Sequence, residues 1–373
     1  MENFRYEDIA RFSEMYSVPE EDVFFIWLNL TGVNANFESN RCRFGLGIVD
    51  GDLFRNARSL GIDNFYCATA LRKDSGFYFS DDGYLMFGKM EMAKISEPQP
   101  DFCESSYPRK EGKVINMNPV LKSRCAGCKF CHTAGQISHE EEKLWDEDDI
   151  RMFISNYITR LGVANLSEME QVAIVSGCFR DEREIVDYIF RVRKVLSEFG
   201  YRNEIMYFGS QLKKLESLEK LAEIKPFSYY FTLECFERRK ELLRSTKSAD
   251  SLEDIKVILS WARDLGFNNS YSYIIGLDGL DSVEKYSREF KEYLTRFPVI
   301  NVYQLHERQE NLRTEGAHSI EYYLEARKIL ENIYLDTEAR PQPYENYRAL
   351  WYLKFADEIL YGPRIPTRPF SVS

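Results

Sequence analysis

The sequence predicts an α/β fold, in which strand and helix patterns alternate behind a smaller N-terminal unit of different rhythm. Three observations carry this. Apolar runs of strand length recur at "VINMNPV", "EQVAIVSG", "NEIMYFGS", "FSYYFTLE", "SYSYIIGLD" and "INVYQL". Amphipathic stretches of helix length separate them, so the two patterns alternate about six times. The 373 residues are 44% hydrophobic and 29% charged, enough apolar matter for a sizeable core in an ordinary globular balance. Parallel strands joined by right-handed helical crossovers follow from this alternation. An open doubly wound sheet and a barrel both fit it. In either, functional residues gather at the C-terminal ends of the strands.

The N-terminal unit covers residues 1–105. Tyr6, Ile9, Ala10, Phe12 and Met15 mark a short amphipathic helix. Pro19, followed by Glu20, Glu21 and Asp22, opens a second helix through Phe24, Ile26 and Trp27. Asp81-Asp82-Gly83 is a turn signal before a strand or hairpin. "SEPQPDFCESSYPRKEGK" is polar and proline-bearing, and is the expected linker. Beyond it, helices are expected from Asp148 to Leu161, over "DEREIVDYIFRVRKVLSEF" up to Gly200, over "LKKLESLEKLAEI", and from an N-cap at Ser251 to a stop at Gly266. "SVEKYSREFKEYLTRF" and "SIEYYLEARKILENIY" are two more, and a last helix is expected near 345–360.

The formal net charge of -11 argues against a general nucleic-acid binder, which needs a basic stripe. Arg238, Arg239, Lys240, Arg244 and Lys247 form one local basic patch. No apolar run follows the polar start, and no stretch is long and apolar enough to span a membrane, so no membrane partner and a cytoplasmic location are expected. Eight cysteines without an export signal then read as thiols or metal ligands rather than disulfides.

Cys125, Cys128 and Cys131 are spaced C-x2-C-x2-C in "SRCAGCKFCHTAG". Thiolates are soft ligands that suit zinc or iron–sulfur clusters. Zinc wants a fourth ligand, and His132, next to Cys131, is poorly placed to join the same tetrahedron. Three thiolates in one tight loop fit three corners of a [4Fe-4S] cube, while zinc and unliganded thiols stay open as alternatives.

This segment resembles the cluster loop of the radical S-adenosylmethionine (SAM) enzymes, whose usual spacing is C-x3-C-x2-C with an aromatic residue before the last cysteine. Phe130 matches the aromatic. The first gap is one residue short, and Gly127 makes the tighter bend accessible. The resemblance runs over residues 112 to 335. It implies a partial (β/α)6 TIM-like barrel at 106–340, a small α+β N-terminal accessory or capping domain at 1–105, and a C-terminal helical extension at 341–373. It also implies a [4Fe-4S] cluster and SAM as cofactors, with Cys125, Cys128 and Cys131 as cluster ligands.

Further site residues follow from the same resemblance. Ser176 and Gly177 stand loosely where the family binds the SAM amino group, with Cys178 in place of the usual acid. Glu234 stands at a ribose or substrate contact, and a carboxylate accepts two hydroxyls well. Arg238 or, preferably, Arg239 would grip the SAM carboxylate. Gly276 and Gly279 belong to a turn like the family's "IxGL", against adenosine. Gln304 and Leu305 would rim the adenine. Tyr303 and His306 are the candidate catalytic residues beside the mouth. Tyr207, Tyr229, Tyr273 and Tyr303 would line a substrate cavity if they face inward, and fill the core if not. Cys235 alternates away from Glu234 and is expected to be buried. The polar knot Arg72-Lys73-Asp74-Ser75 would touch substrate if the N-terminal unit caps the mouth.

The implied chemistry is reductive SAM cleavage to a 5′-deoxyadenosyl radical, which takes hydrogen from a small-molecule substrate in a biosynthetic pathway. An electron donor such as flavodoxin or ferredoxin is the implied partner. A peptide or nucleic-acid substrate is the alternative within the family, and a zinc-stabilised binding protein the alternative outside it.

Overall fold

The computed structural model describes residues 4–49, 51–121, 125, 127–131, 138–139, 143–307, 309–342 and 348–360. The N-terminal unit begins with α1 (Tyr6–Tyr16) and α2 (Glu20–Thr31). Helix α1 buries Ile9 and Phe12 on one face, as its periodicity requires. Helix α2 is buried along almost its whole length, including Glu21 and Asp22. Around it lie β1 (Arg41–Gly47), α3 (Arg55–Ser59), β2 (Asn64–Ala70), β3 (Phe77–Phe79), β4 (Tyr84–Phe87) and β5 (Met90–Pro100). These strands form one antiparallel sheet in the order β2-β1-β5-β4-β3. Gly83, at φ 82°, sits in the β3–β4 turn that the Asp-Asp-Gly signal marked.

The expected linker is instead structured. Strand β5 runs through Ser96–Pro100, followed by β6 (Cys103–Glu104) and β7 (Ser106–Arg109). Pro98 and Pro100 lie at the end of β5, beyond its pairing with β4, and Pro108 lies in the edge strand β7. An edge position tolerates the missing donor of proline, which composition alone does not reveal.

From there the chain alternates: β8 (Val114–Met117), β9 (Ser138–His139), α4 (Glu147–Leu161), β10 (Gln171–Ile174), α5 (Glu182–Glu198), β11 (Glu204–Gly209), α6 (Leu215–Leu221), β12 (Phe227–Glu234), α7 (Arg239–Leu242), α8 (Ser245–Ser248), α9 (Leu252–Asp264), β13 (Asn268–Ile275), α10 (Leu280–Lys291), β14 (Val299–Val302) and α11 (Ile320–Tyr334). A seven-stranded sheet has the order β14-β13-β12-β11-β10-β8-β7. Six of its strands are parallel, and β7 adds to β8 antiparallel. This is the curled half-barrel of a partial TIM-like fold. The caps fall where the sequence signals lie. Asp146 and Asp181 accept from the third residue of their helices, and Ser251 forms a capping box with Asp254.

The N-terminal unit packs beside β14 and runs on directly into the other sheet edge, β7. At the β14 edge, Gln304 donates to Asn29 and to the Ala68 carbonyl, both at 2.8 Å, and Arg313 donates to the Leu30 carbonyl at 2.8 Å. On the β7 side, Asn118, just past β8, donates from its side chain to the Glu104 carbonyl at 2.6 Å and from its backbone to the Ser105 carbonyl at 2.7 Å. Apolar residues of both parts form one continuous core. Inside it, Arg327 of α11 pairs with Asp22 at 2.7 Å and Glu331 at 2.8 Å, all fully buried.

The expected last helix near 345–360 is absent from its described part. Residues 348–360 form a hairpin of β15 (Lys354–Phe355) and β16 (Glu358–Ile359). Asp22 accepts the backbone N–H groups of Tyr352 and Leu353, both at 2.8 Å. These tertiary bonds take donors that a helix would use internally, and they override the apolar spacing.

Candidate active site

A cavity of about 350 Å³ opens at the C-terminal ends of the parallel strands. Cys125, Cys128 and Cys131 line it together, as do Phe130, Ser176, Gly177, Glu234, Tyr303, Gln304 and His306. All ten are residues that the resemblance singles out for cluster, cofactor or chemistry.

The loop reaches this place through a clamp. Ser176 Oγ accepts the Val120 N–H at 3.1 Å and donates to the Val120 carbonyl at 3.0 Å. The Gly177 N–H donates to that same carbonyl at 2.7 Å. A Cβ at Gly177 would stand 2.9 Å from the carbonyl oxygens of Val120 and Leu121, so only glycine lets the loop stem approach. Farther on, the Lys129 N–H donates to the Leu242 carbonyl at 2.9 Å, and Phe130 packs on an apolar cluster with Leu242, Leu243 and Leu277. The shortened gap is served by Gly127 at φ 104°, where a Cβ would come 2.8 Å from Arg244 Cβ.

Arg244 answers this closeness with two donors. Its guanidinium Nη1 donates to Cys125 Sγ at 3.4 Å, and its backbone N–H donates to the Cys128 sulfur. Cys178 Sγ lies 3.8 Å from Cys125 Sγ. Their mutual hydrogen bond holds Cys178 down, to about 6, and pushes Cys125 up, while Arg244 favours the thiolate form of both. Burial pushes the Cys128 thiol up, with Lys247 and the Arg244 N–H opposing it. Among the described residues no group of three His, Cys, Asp or Glu stands as one mononuclear ion would need; His132 lies outside them.

Glu234 ends β12 at φ 73°, after a register shift between Thr232 and Glu234. A positive φ is costly for a residue with a side chain, and here it turns the carboxylate into the cavity. Glu234 accepts from Lys247 Nζ at 2.8 Å and from Ser272 at 3.4 Å. His306 Nδ1 meets the Asn40 carbonyl at 3.0 Å. A carbonyl only accepts, so Nδ1 carries the proton and Nε2 is the acceptor. Burial, then Arg41 and Arg348, hold His306 down to about 3, so it is neutral at physiological pH. Tyr303 donates to the Glu310 carbonyl at 3.2 Å, and burial raises its hydroxyl above the ordinary range.

Other singled-out residues point elsewhere. Arg239 is buried, with its guanidinium on the carbonyls of Leu233, Cys235 and Lys247. Arg238 pairs with Glu241 and reaches the carbonyls of Leu277 and Leu312. Neither lines the cavity; Arg244 and Lys247 do. Both belong to the same basic patch, but sequence spacing did not distinguish which of its members turn inward. Gly276, at φ 110°, packs close to Tyr323, and Leu305 joins the apolar cluster under Phe130. Gly279 caps α10. Of the four strand tyrosines, Tyr207 and Tyr303 line the cavity. Tyr229 and Tyr273 are fully buried on Leu212 and Asp278. Cys235 is buried. Arg72 pairs with Asp74 and Ser75 with the Gly32 carbonyl, away from the cavity. Instead, the N-terminal unit lends the cavity Arg41, Asp101, Cys103 and Glu104. Three of these come from the segment whose composition resembled a linker.

Residues 125–286 match the family model of the Radical SAM superfamily, a segment that begins on Cys125 itself. The chain carries a radical SAM domain. No curated protein matches the chain. Among solved structures, the radical SAM methyltransferase TsrM from Kitasatospora setae, with cobalamin and a [4Fe-4S] cluster bound, is similar at a TM-score of 0.37 and 8% identity. The likeness covers 56% of this chain and 35% of TsrM. SuiB from Streptococcus suis bound to S-adenosylmethionine gives 0.40 and 15% identity, over 67% of this chain and 55% of SuiB. The chain thus spans from about a third to just over half of those proteins.

The radical SAM cofactors find fitting residues. Three soft thiols line one cavity, and the nearby N–H donors aim at two of their sulfurs, as ligand thiolates require. No helix among the described residues is long and apolar enough to cross a membrane.

Proposed function

We propose that this enzyme binds a [4Fe-4S] cluster through Cys125, Cys128 and Cys131 and acts on a small molecule held in the same cavity. The observation that carries this is the convergence of the three thiols on one cavity at the ends of six parallel strands. When bound, the cluster and SAM supply reductive cleavage of SAM and hydrogen-atom abstraction from an unactivated C–H bond. The protein's own residues do the rest. The Ser176–Gly177 clamp and the Lys129–Leu242 bond hold the loop stem and its end in place. Glu234, held by Lys247, offers its carboxylate to the ribose hydroxyls. With Arg238 and Arg239 engaged elsewhere, Arg244 and Lys247, beside the cysteines and Glu234, are the cations for the SAM carboxylate. His306 serves as a neutral acceptor at Nε2 rather than as an acid. The N-terminal wall excludes water from the reacting centre.

A small molecule in a biosynthetic pathway is preferred over a peptide or nucleic acid, because the N-terminal unit lines one side of the cavity and the chain is acidic. An external one-electron donor of flavodoxin or ferredoxin type completes the reaction. Anaerobic reconstitution tests the reading. About four iron and four sulfide per chain are expected, with 5′-deoxyadenosine formed from SAM under a strong reductant. Cys128→Ala should lose both. One zinc and no iron would overturn it.

A further inference from the structure

Where the barrel meets the N-terminal unit, two buried side-chain oxygens of the barrel lack partners. Gln304 is 4% exposed and Asn118 is 6% exposed, and both line the cavity. The direction of each amide is fixed. Asn29 donates its Nδ2 to the Phe25 carbonyl at 2.9 Å, so its Oδ1 faces Gln304 and takes the Gln304 Nε2 proton. The second Gln304 Nε2 proton goes to the Ala68 carbonyl. Gln304 Oε1 is therefore the end left over, and it has no hydrogen-bond partner. Asn118 gives its Nδ2 proton to the Glu104 carbonyl, and its Oδ1 likewise has none. Both are acceptors that only a donor can satisfy.

Between them stands β1, with Arg43 opposite Ala68 and bonded to Glu104, and with Arg41 paired to Asp101 at 3.0 Å. Arg41 and Arg348 line the cavity near His306, against the carboxylate of Asp101. With Arg43 on Glu104, three guanidiniums face two carboxylates here, a local excess of positive charge in a chain of net charge -11. Its field helps hold His306 neutral. An ammonium donor is repelled there, and a hydroxyl is not.

We propose that Gln304 Oε1 and Asn118 Oδ1 recognise the substrate, and that the substrate is a small hydroxylated anion, carboxylate or phosphate. Its hydroxyls fill the two acceptors and its negative charge faces the guanidiniums. This rests on the proposed radical SAM reading of the cavity, and iron content checks that reading separately.

The test uses calorimetry on the cluster-reconstituted protein. The probes are gluconate and glucose 6-phosphate, with hexanoate (no hydroxyls) and glucosamine (an ammonium, no anion) as controls. At least one hydroxylated anion should bind tenfold or more tighter than both controls, and which one does so separates carboxylate from phosphate. Asn118→Leu and Gln304→Met should each weaken it at least tenfold, and for Asn118→Leu SAM affinity should change less than twofold. Asn118→Ser and Gln304→Ser replace any variant that fails to load iron. Equal binding of probes and controls would overturn the proposal. So would a parallel loss of SAM affinity in Asn118→Leu, which would give that oxygen to the cofactor. A protein that loads no iron while still binding the hydroxylated anion would refute the cluster reading and leave the acceptor assignment standing.

Discussion

Arg244 donates to two of the three proposed cluster sulfurs, one through its guanidinium and one through its backbone. Reduction places more negative charge on ligand sulfur, so donors to sulfur favour the reduced state and raise the potential. Arg244→Leu removes the side-chain donor and its charge and leaves the backbone bond. A hydrogen bond to a charged group contributes about 1.5–3 kcal/mol. Arg244 is only half-buried, and only the difference between the two redox states counts, so we take about 0.5–1.5 kcal/mol. For one electron, ~59 mV corresponds to ~1.4 kcal/mol, so the midpoint should fall by about 20–65 mV. The assay is a redox titration of the reconstituted protein, read by electron paramagnetic resonance, with iron content matched to the unsubstituted enzyme. Arg244→Lys should recover part of the shift, because it keeps the charge but not the planar fork. An unchanged or raised midpoint at full iron load would refute the reasoning.

Arg327→Ala should destabilise the fold by about 3–5 kcal/mol, because it strands the buried carboxylates of Asp22 and Glu331. Denaturant unfolding measures this, and a loss below ~1 kcal/mol would contradict a buried charge cluster joining α2, α11 and the C-terminal hairpin. Gly177→Ala should lower iron incorporation, since its Cβ meets backbone oxygens at 2.9 Å that cannot yield without moving the loop stem; normal iron content would show the clamp to be slack. His306, held at about 3 against an ordinary value near 6.5, is neutral when folded and protonated sooner when unfolded. Its stabilising effect is thus present above about pH 6.5 and lost as pH falls toward 3, about 2 kcal/mol between pH 6.5 and 5. In His306→Gln, that part of the pH slope of stability should disappear.

Much of this site is written locally. The thiol spacing, the aromatic Phe130, the glycines at 127 and 177 and the alternation of strand and helix all act within a few residues, where covalent geometry and periodicity decide the outcome. Glu234 was legible too, as the polar end of an apolar strand. Which cation serves the cavity was not. Arg238 and Arg239 lie nearest Glu234 in sequence, yet Arg239 turns back onto three carbonyls while Arg244, beyond a short helix, meets the thiols. Arg239 starts α7 and Arg244 follows its end, and which of them meets the cavity is set by packing that no pattern in the sequence encodes.

By itself the sequence determined the α/β alternation, the cysteine loop and its place after the first strand of the barrel, because these rest on local propensity and on ligand chemistry. Tertiary structure alone decided the wall. The polar segment around Asp101–Glu104 becomes strand because β1 and β9 offer it partners, and the residues before β15 give up a helix because Asp22 takes their N–H groups. Both outcomes depend on hydrogen bonds between residues far apart in the chain, whose energies exceed the local preferences they override.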